Sequence, residues 1–414
     1  MKIRLTSRGW ALTIAGICLI ALGALAQLPD VIGLGAGALA TVTYGVISGW
    51  RTYRQPTKRR FVVERTVTPP ILTRGDLGTV LLTLRTSGGK ATAGVLRSLS
   101  IAEQAAPELA GPTGLKARTT HTNNSIQVHY QAVAARRGRF ELGPVLATRV
   151  DLFGTTSTTS AVGGVSKVAV WPRVTELDIS AFGLSEHDPA GSGSRLTAPD
   201  DNALREYVPG DDPRRVHWPT SARRGELVVR AAESAGKRAV TILFDVGLLA
   251  RAGRRASLTE QDGEWALEYA ASLGCALLKA GHSVRFTAGV GSTRHFTGAL
   301  DGRAELLDSL VDLSGTPTVD AADAALIAAI RQVRLARATD EMVLAVIRPP
   351  RLETLDALRA LGMEAAHAAA FVVTGSPGDV DVEAMRVTGW RVSATVAGGS
   401  HARAWSEAAV LAPC

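Results

Sequence analysis

The groups that could do chemistry crowd into one stretch, residues 205–230, which holds Arg205, Glu206, Tyr207, Gly210, Asp211, Asp212, Arg214, His217, Trp218, Ser221 and Arg223. Carboxylates beside an imidazole could exchange protons. Adjacent Asp211 and Asp212 inside Pro209-Gly210-Asp211-Asp212-Pro213 are, however, better suited to capping turn amides than to forming an acid–base pair. Catalysis is therefore not expected here, and two readings stay open. The mixed charges can form a charge-assisted network that holds an irregular interdomain loop, with Trp218 as a buried apolar anchor. The same groups can form a recognition surface for a partner or an anionic ligand. The alternative from another class is a hydrolase or ligand-binding enzyme using the 205–223 block, marked by turnover that Asp211→Ala or Asp212→Ala abolishes.

Elsewhere the chain has no Gly-x-x-x-x-Gly-Lys-Ser/Thr loop, Gly-x-Ser-x-Gly elbow or His-Glu-x-x-His pair. Gly236-Lys237-Arg238 lacks both the upstream glycine and the hydroxyl of a phosphate loop. His121 and His129 have no carboxylate or thiol at ligand spacing and read as strand histidines rather than metal ligands. Cys18, Cys275 and Cys414 suggest neither a disulfide framework nor a thiolate metal site, which fits a reducing compartment. No cofactor and no enzymatic activity are expected.

The formal charge of +8 could point to nucleic acid, but its location decides otherwise. Lys2, Arg4, Arg8, Arg51, Arg54, Lys58, Arg59 and Arg60 face Asp30 alone in the first 60 residues, so nearly all the excess flanks the apolar N-terminus. Gly9 to Leu28 and Val31 to Trp50 are uncharged apart from the Asp30 turn between them, and each can cross a hydrocarbon core of about 30 Å. Pro29-Asp30 reads as the turn of a helical hairpin, with Trp10 and Trp50 at the interfaces. Cations on both flanks place both in the cytoplasm, making a multi-pass inner-membrane protein whose soluble part faces the cytoplasm. Gly33-x-x-x-Gly37 and Gly45-x-x-x-Gly49 would permit close helix approach, within the hairpin in preference to a dimer. Ala24-Leu25-Ala26 resembles a signal-peptidase site, but the second span following at once favours an anchor.

Four regions are expected: the hairpin and its basic flanks (1–60), a β-sandwich-like domain (61–175), a linker with the polar block (176–236) and an α/β domain (237–414). In the second, residues 61–67, 79–85, 94–101 and 125–130 alternate with period two between turn residues. Arg137-Gly138, Leu142-Gly143-Pro144 and Asp151-Leu152-Phe153-Gly154 mark further turns. In the last, strands at 239–245, 283–287, 342–347, 369–373 and 391–396 alternate with helices such as 264–280, implying a mainly parallel sheet covered on both faces.

The run from Arg205-Glu206-Tyr207 through Pro209-Gly210-Asp211-Asp212, Arg214, Trp218 and Ser221-Ala222-Arg223 resembles the hallmark of the family catalogued as domain of unknown function 58. The three turn motifs and the order of hairpin, β domain and α/β domain are similar to that family as well. His217 departs from it, standing where the family usually has an acidic or amide residue. The resemblance implies a von Willebrand factor A-like fold, in which the first strand normally ends in Asp-x-Ser-x-Ser and ligates a divalent cation. Here that run is Asp245-Val246-Gly247-Leu248-Leu249, both hydroxyls are missing, and no metal is expected at this degenerate site. It also implies a non-enzymatic membrane adaptor that works with a MoxR-type AAA+ ATPase, and with a transglutaminase-like or other membrane protein, in envelope-related assembly or maturation. A nucleic-acid or lipid-headgroup binder is a third, weaker expectation.

Overall fold

The computed structural model describes residues 2–54, 61–86, 99–111, 117–122, 125–179, 204–206, 218–230, 237–250, 258–289, 291–336, 341–365, 367–375 and 383–410. The chain forms two compact units, Met1–Trp171 and Pro172–Cys414.

The first unit begins with a strand that the sequence reading missed, β1 (Lys2–Leu5), because Lys2 and Arg4 read simply as a charged flank. Helices α1 (Ser7–Leu25) and α2 (Pro29–Arg54) follow, and both are long and apolar enough to cross a membrane. Thr6 caps the first, its hydroxyl accepting the Gly9 N–H at 3.1 Å. The hairpin turn falls at residues 26–28, where Gln27 has φ 56°, rather than at Pro29-Asp30. Those two residues instead open α2, since proline is preset for a first helical turn and an acidic side chain suits the positive end of the helix dipole.

The glycine expectation is corrected in the same region. Gly33 and Gly37 face open space, whereas Gly16 and Gly35 pack against each other's helix at the hairpin seam. A Cβ on Gly45 would lie 2.5 Å from Thr155 Oγ1, and one on Gly9 would lie 2.1 Å from the Thr155 carbonyl oxygen. Gly9 and Gly45 thus let the hairpin seat against the β-structure, not against another helix.

That β-structure comprises β2 (Phe61–Thr68), β3 (Leu72–Thr73), β4 (Leu77–Thr86), β5 (Leu99–Ala105), a single helical turn α3 (Pro107–Ala110), β6 (Ala117–His121), β7 (Ser125–Val133), β8 (Gly138–Val150), β9 (Thr156–Val162) and β10 (Ser166–Trp171). One sheet runs β2-β4-β7-β6, all antiparallel. The other runs β1-β9-β8-β10-β3, with β5 also on β8. Period-two alternation turns Val80, Leu82, Leu84, Ile126 and Val128 of the first sheet and Leu142, Val145, Val162, Val168 and Val170 of the second into one core. His121 and His129 are exposed on β6 and β7.

A polar tie crosses this core. The Glu103 carboxylate on β5 accepts hydrogen bonds from Arg65 Nε on β2 and from Tyr130 OH on β7, and the Arg65 and Glu103 side chains are almost wholly buried. Burial, with the adjoining Glu103 charge, pushes the Tyr130 hydroxyl well above its ordinary pKa, so it stays a donor. Gly143, at φ +100°, makes this possible, since a Cβ there would lie 2.4 Å from an Arg65 guanidinium nitrogen. The Leu142-Gly143-Pro144 motif therefore serves the tie rather than a turn, and it lies inside β8.

In the second unit, β11 (Leu204–Glu206) pairs antiparallel with β12 (Val228–Arg230), with helix α4 (Trp218–Arg224) between them in the chain. Then come β13 (Lys237–Phe244), a 3₁₀ turn (Val246–Leu249), α5 (Glu260–Lys279), β14 (His282–Thr287), β15 (Arg294–Phe296), α6 (Arg303–Val311), α7 (Val319–Ala336), β16 (Met342–Ile347), α8 (Leu352–Glu364), β17 (His367–Thr374), α9 (Glu383–Arg386), β18 (Trp390–Val396) and α10 (His401–Val410). The sheet order is β15-β14-β13-β16-β17-β18, parallel throughout except at the β15 edge. The mainly parallel sheet expected for the α/β region is thus present.

Helices cover both faces. Leu243, Val343, Ala345 and Ile347 pack with Leu326 and Ile330 of α7 and Leu358 and Leu361 of α8. On the other face Tyr269 of α5 meets Phe371 of β17 edge-on at 5.2 Å. A capping box, in which Thr259 and Asp262 satisfy each other's backbone N–H, starts α5, and Gly281 at φ +89° ends it. The incoming chain is tied to this unit by the Arg173 N–H on Glu268 (3.1 Å) and the Thr175 N–H on Ser272 Oγ (2.9 Å).

Candidate functional site

The sheet order reverses at β13, whose neighbours β14 and β16 lie on opposite sides of it. In open α/β sheets such a reversal leaves a crevice beyond the carboxyl ends of the strands, which is where ligands bind. Asp245 follows β13 and Arg348 follows β16, so chain direction alone brings them to this crevice.

Asp245 is fully buried. Its Oδ1 accepts the Gly247 N–H at 2.8 Å, and its Oδ2 accepts Arg348 Nε at 2.8 Å. Arg348 then reaches Asp323 on α7, with its terminal nitrogen 2.6 Å from Oδ1. Arg351 bridges Asp323 (3.1 Å) and Asp320 (2.7 Å). The result is an ion ladder of alternating sign running from the buried floor to the exposed carboxylate of Asp320. Burial pushes the Asp245 carboxyl above the usual range, and the Arg348 guanidinium pulls it back toward ionisation.

Gly247 stands where an Asp-x-Ser-x-Ser run would carry its first hydroxyl. A Cβ there would sit 2.5 Å from Arg348 Nε, so the missing side chain is the space that the guanidinium fills. The residues present do not fit a divalent cation: one Asp245 oxygen is committed to a backbone amide and the other to a cationic side chain, while positions 247 and 249 offer no oxygen. Among the described residues no cluster of three or more His, Cys, Asp and Glu side chains is arranged to hold a metal.

The polar block is only partly described. Arg205 and Glu206 lie on β11, opposite Val229 and Val228 of β12. Tyr207, Gly210, Asp211, Asp212, Arg214 and His217 lie outside the described residues. Ser221 is buried on α4, and Arg223 on the same helix is exposed. Trp218 corrects the anchor expectation: it is 65% exposed. It stands at the first residue of the short α4, which leaves it at the end of the element.

Residues 203–369 match the family described as "Protein of unknown function DUF58". The DUF58 match takes in the β11–β12 pair, Trp218, Asp245 and every residue of the ion ladder. No curated protein matches the chain. Among solved structures, the PilB minor pilin from Streptococcus sanguinis is 7% identical and a point mutant of the same pilin 9%, each comparison covering 90% of this chain and 96% of the pilin at a TM-score of 0.28. Similarity at that level gives no basis for transferring fold or function.

Sequence reasoning found Asp245 but missed Asp320, Asp323, Arg348 and Arg351. One signal was available: Arg348 directly follows the wholly apolar strand 342–347, at the end where a parallel sheet presents its ligand groups. Asp323 gives a weaker one, as a lone carboxylate in the alanine-rich run 321–325.

Proposed function

We propose that this chain is a non-enzymatic, membrane-anchored adaptor. In this reading α1 and α2 cross the inner membrane, the β-sandwich-like and von Willebrand factor A-like domains face the cytoplasm, and a MoxR-type AAA+ ATPase is the partner, as the DUF58 resemblance implies. The carrying observation is Arg348. A sheet of this order would bind a ligand or metal at its strand-end crevice, and here a side chain of the same chain occupies that place, tied to Asp245 and Asp323. Recognition then falls to the outer surface, and Trp218, exposed on the same short helix as the exposed Arg223, is the kind of residue that anchors protein interfaces.

Pairing of β1 with β9 supports the hairpin half of the reading. One strand precedes α1 and the other follows α2, so a ladder between them needs both flanks on one side of the bilayer, as two crossings provide.

The test is a pull-down from detergent-solubilised membranes with three forms of the full chain: wild type, the triple variant Asp211→Ala, Asp212→Ala, Arg214→Ala, and Trp218→Ala. Circular dichroism checks that all three are folded. An AAA+ ATPase retained by the wild type and lost from either variant supports the adaptor; the same proteins in all three lanes overturn the assignment of this surface.

A further inference from the structure

We propose that the Asp151–Gly154 turn is a second membrane contact, which places Leu152 and Phe153 in the lipid headgroup layer beside the hairpin. The inference rests on the reading that α1 and α2 span the bilayer.

Leu152 is 87% exposed and Phe153 51% exposed, adjacent on a turn that is firmly built. The Asp151 carboxylate accepts hydrogen bonds from Thr155 Oγ1 (2.9 Å) and from the backbone N–H groups of Thr156 (2.5 Å) and Phe153 (3.3 Å), and the Gly154 N–H closes the turn on the Asp151 carbonyl at 3.0 Å. A turn knotted in this way cannot fold its two apolar side chains back under the sheet. In water they would stay hydrated, at a cost that scales with their apolar area.

The turn sits at a definite level along the hairpin. Thr6, the cap of α1, donates its hydroxyl to the Gly154 carbonyl at 2.5 Å. The Phe153 ring meets Tyr44 of α2 edge-on at 6.1 Å. This is where α1 starts and where α2 leaves its neighbour, so in this reading it is the cytoplasmic boundary of the spanning pair, at Tyr44 rather than at the Trp50 expected from the sequence. Trp10 and Tyr44, both more than half exposed, share that level. With Phe153 they form the aromatic belt expected where a protein passes from hydrocarbon to headgroups.

Charge agrees with a lipid occupant. Arg8 lies against Gly154, its guanidinium nitrogen 3.6 Å from where a Cβ would be, and can meet a headgroup phosphate. The Asp151 carboxylate is turned inward by its hydrogen bonds and offers little repulsion. The contact continues the surface of the hairpin itself, so no separate protein is needed to cover it.

The experiment uses the full chain with Cys18, Cys275 and Cys414 replaced by alanine. A nitrobenzoxadiazole label is placed at Leu152→Cys or, as a water-facing reference, at Leu335→Cys, which is 89% exposed on α7. The protein is reconstituted in phosphatidylcholine vesicles containing a minority of phosphatidylglycerol. The expected result is blue-shifted emission at position 152, with severalfold stronger quenching by a headgroup nitroxide lipid and weaker quenching by iodide than at 335. Iodide quenching equal to that at 335 overturns the proposal, and so does protection from both quenchers, which would mean a second copy of the chain covers the turn. An alkaline carbonate wash separates the two failures: chain released from the vesicles overturns the spanning hairpin, whereas chain retained with a water-exposed label overturns this contact alone.

Discussion

Arg348 donates its Nε–H to Asp245 Oδ2 across 2.8 Å, from the end of one parallel strand to the end of its neighbour. The guanidinium is 12% exposed and the carboxylate not at all, and the same guanidinium also faces Asp323 at 2.6 Å.

Arg348→Met should leave a buried carboxylate without its cation, and removing one partner of a buried pair costs about 3–5 kcal/mol. Hydrogen exchange of the full chain reports it locally, with faster exchange in residues 240–247 and 342–348 and little change in β2, β4 and β7. The sign with pH follows from Asp245, whose pKa in the fold is already raised by burial. Without Arg348 it rises further, so the variant keeps most of its stability in mild acid, where Asp245 is protonated, and loses it as pH climbs through the raised value. Equal protection at acid and neutral pH would count against the pairing.

Gly247→Ala tests the space that the guanidinium fills. The added Cβ would meet Arg348 Nε at 2.5 Å, and overpacking of this kind costs about 1–3 kcal/mol. Its exchange pattern should match that of Arg348→Met in place and be smaller in size. An unaffected variant would mean that Arg348 has another seat.

In the first unit, Glu103→Gln removes the charge that Arg65 faces and should destabilise by about 3–5 kcal/mol. Tyr130→Phe leaves the ion pair standing and should cost only about 1.5–3 kcal/mol, the value of a hydrogen bond to a charged group. Exchange in β2, β5 and β7 measures both. The ordering matters more than either value, and a Tyr130→Phe loss exceeding that of Glu103→Gln would contradict it.

Thr259→Ala breaks the capping box of α5 and should cost about 0.5–2 kcal/mol, read as fraying of the first helical turn. Thr259→Ser should restore most of it, because the hydroxyl is what accepts the Asp262 N–H.

Much of the architecture was legible because it rests on local pattern. Phe61–Thr68 and Ser125–Val133 alternate as half-buried strands must, Met342–Ile347 is apolar throughout as a doubly covered parallel strand must be, and Gly281 stops α5 where the sequence places it. Other features depend on partners distant in the chain. Arg65 meets Glu103 and Asp245 meets Arg348 through topology, which no spacing rule encodes. β1 was hidden for a different reason: its four residues carry two cations, and membrane-flank charge was a sufficient explanation of them. Trp218 failed as a buried anchor because hydrophobicity alone does not tell a core residue from one held out on a short helix.

The pairing of β1 with β9 also sets a timetable for synthesis. Lys2–Leu5 leave the ribosome well before their partners Thr156–Thr159, which follow about 150 residues later, roughly 8–30 s at the usual 5–20 residues per second. The hairpin emerges well within that interval, so its two apolar helices can pair while the sheet that β1 joins still lacks that edge. Closure of this edge is then a late event in the unit's birth, and a nascent chain halted before residue 156 would hold its helices yet leave β1 unpaired.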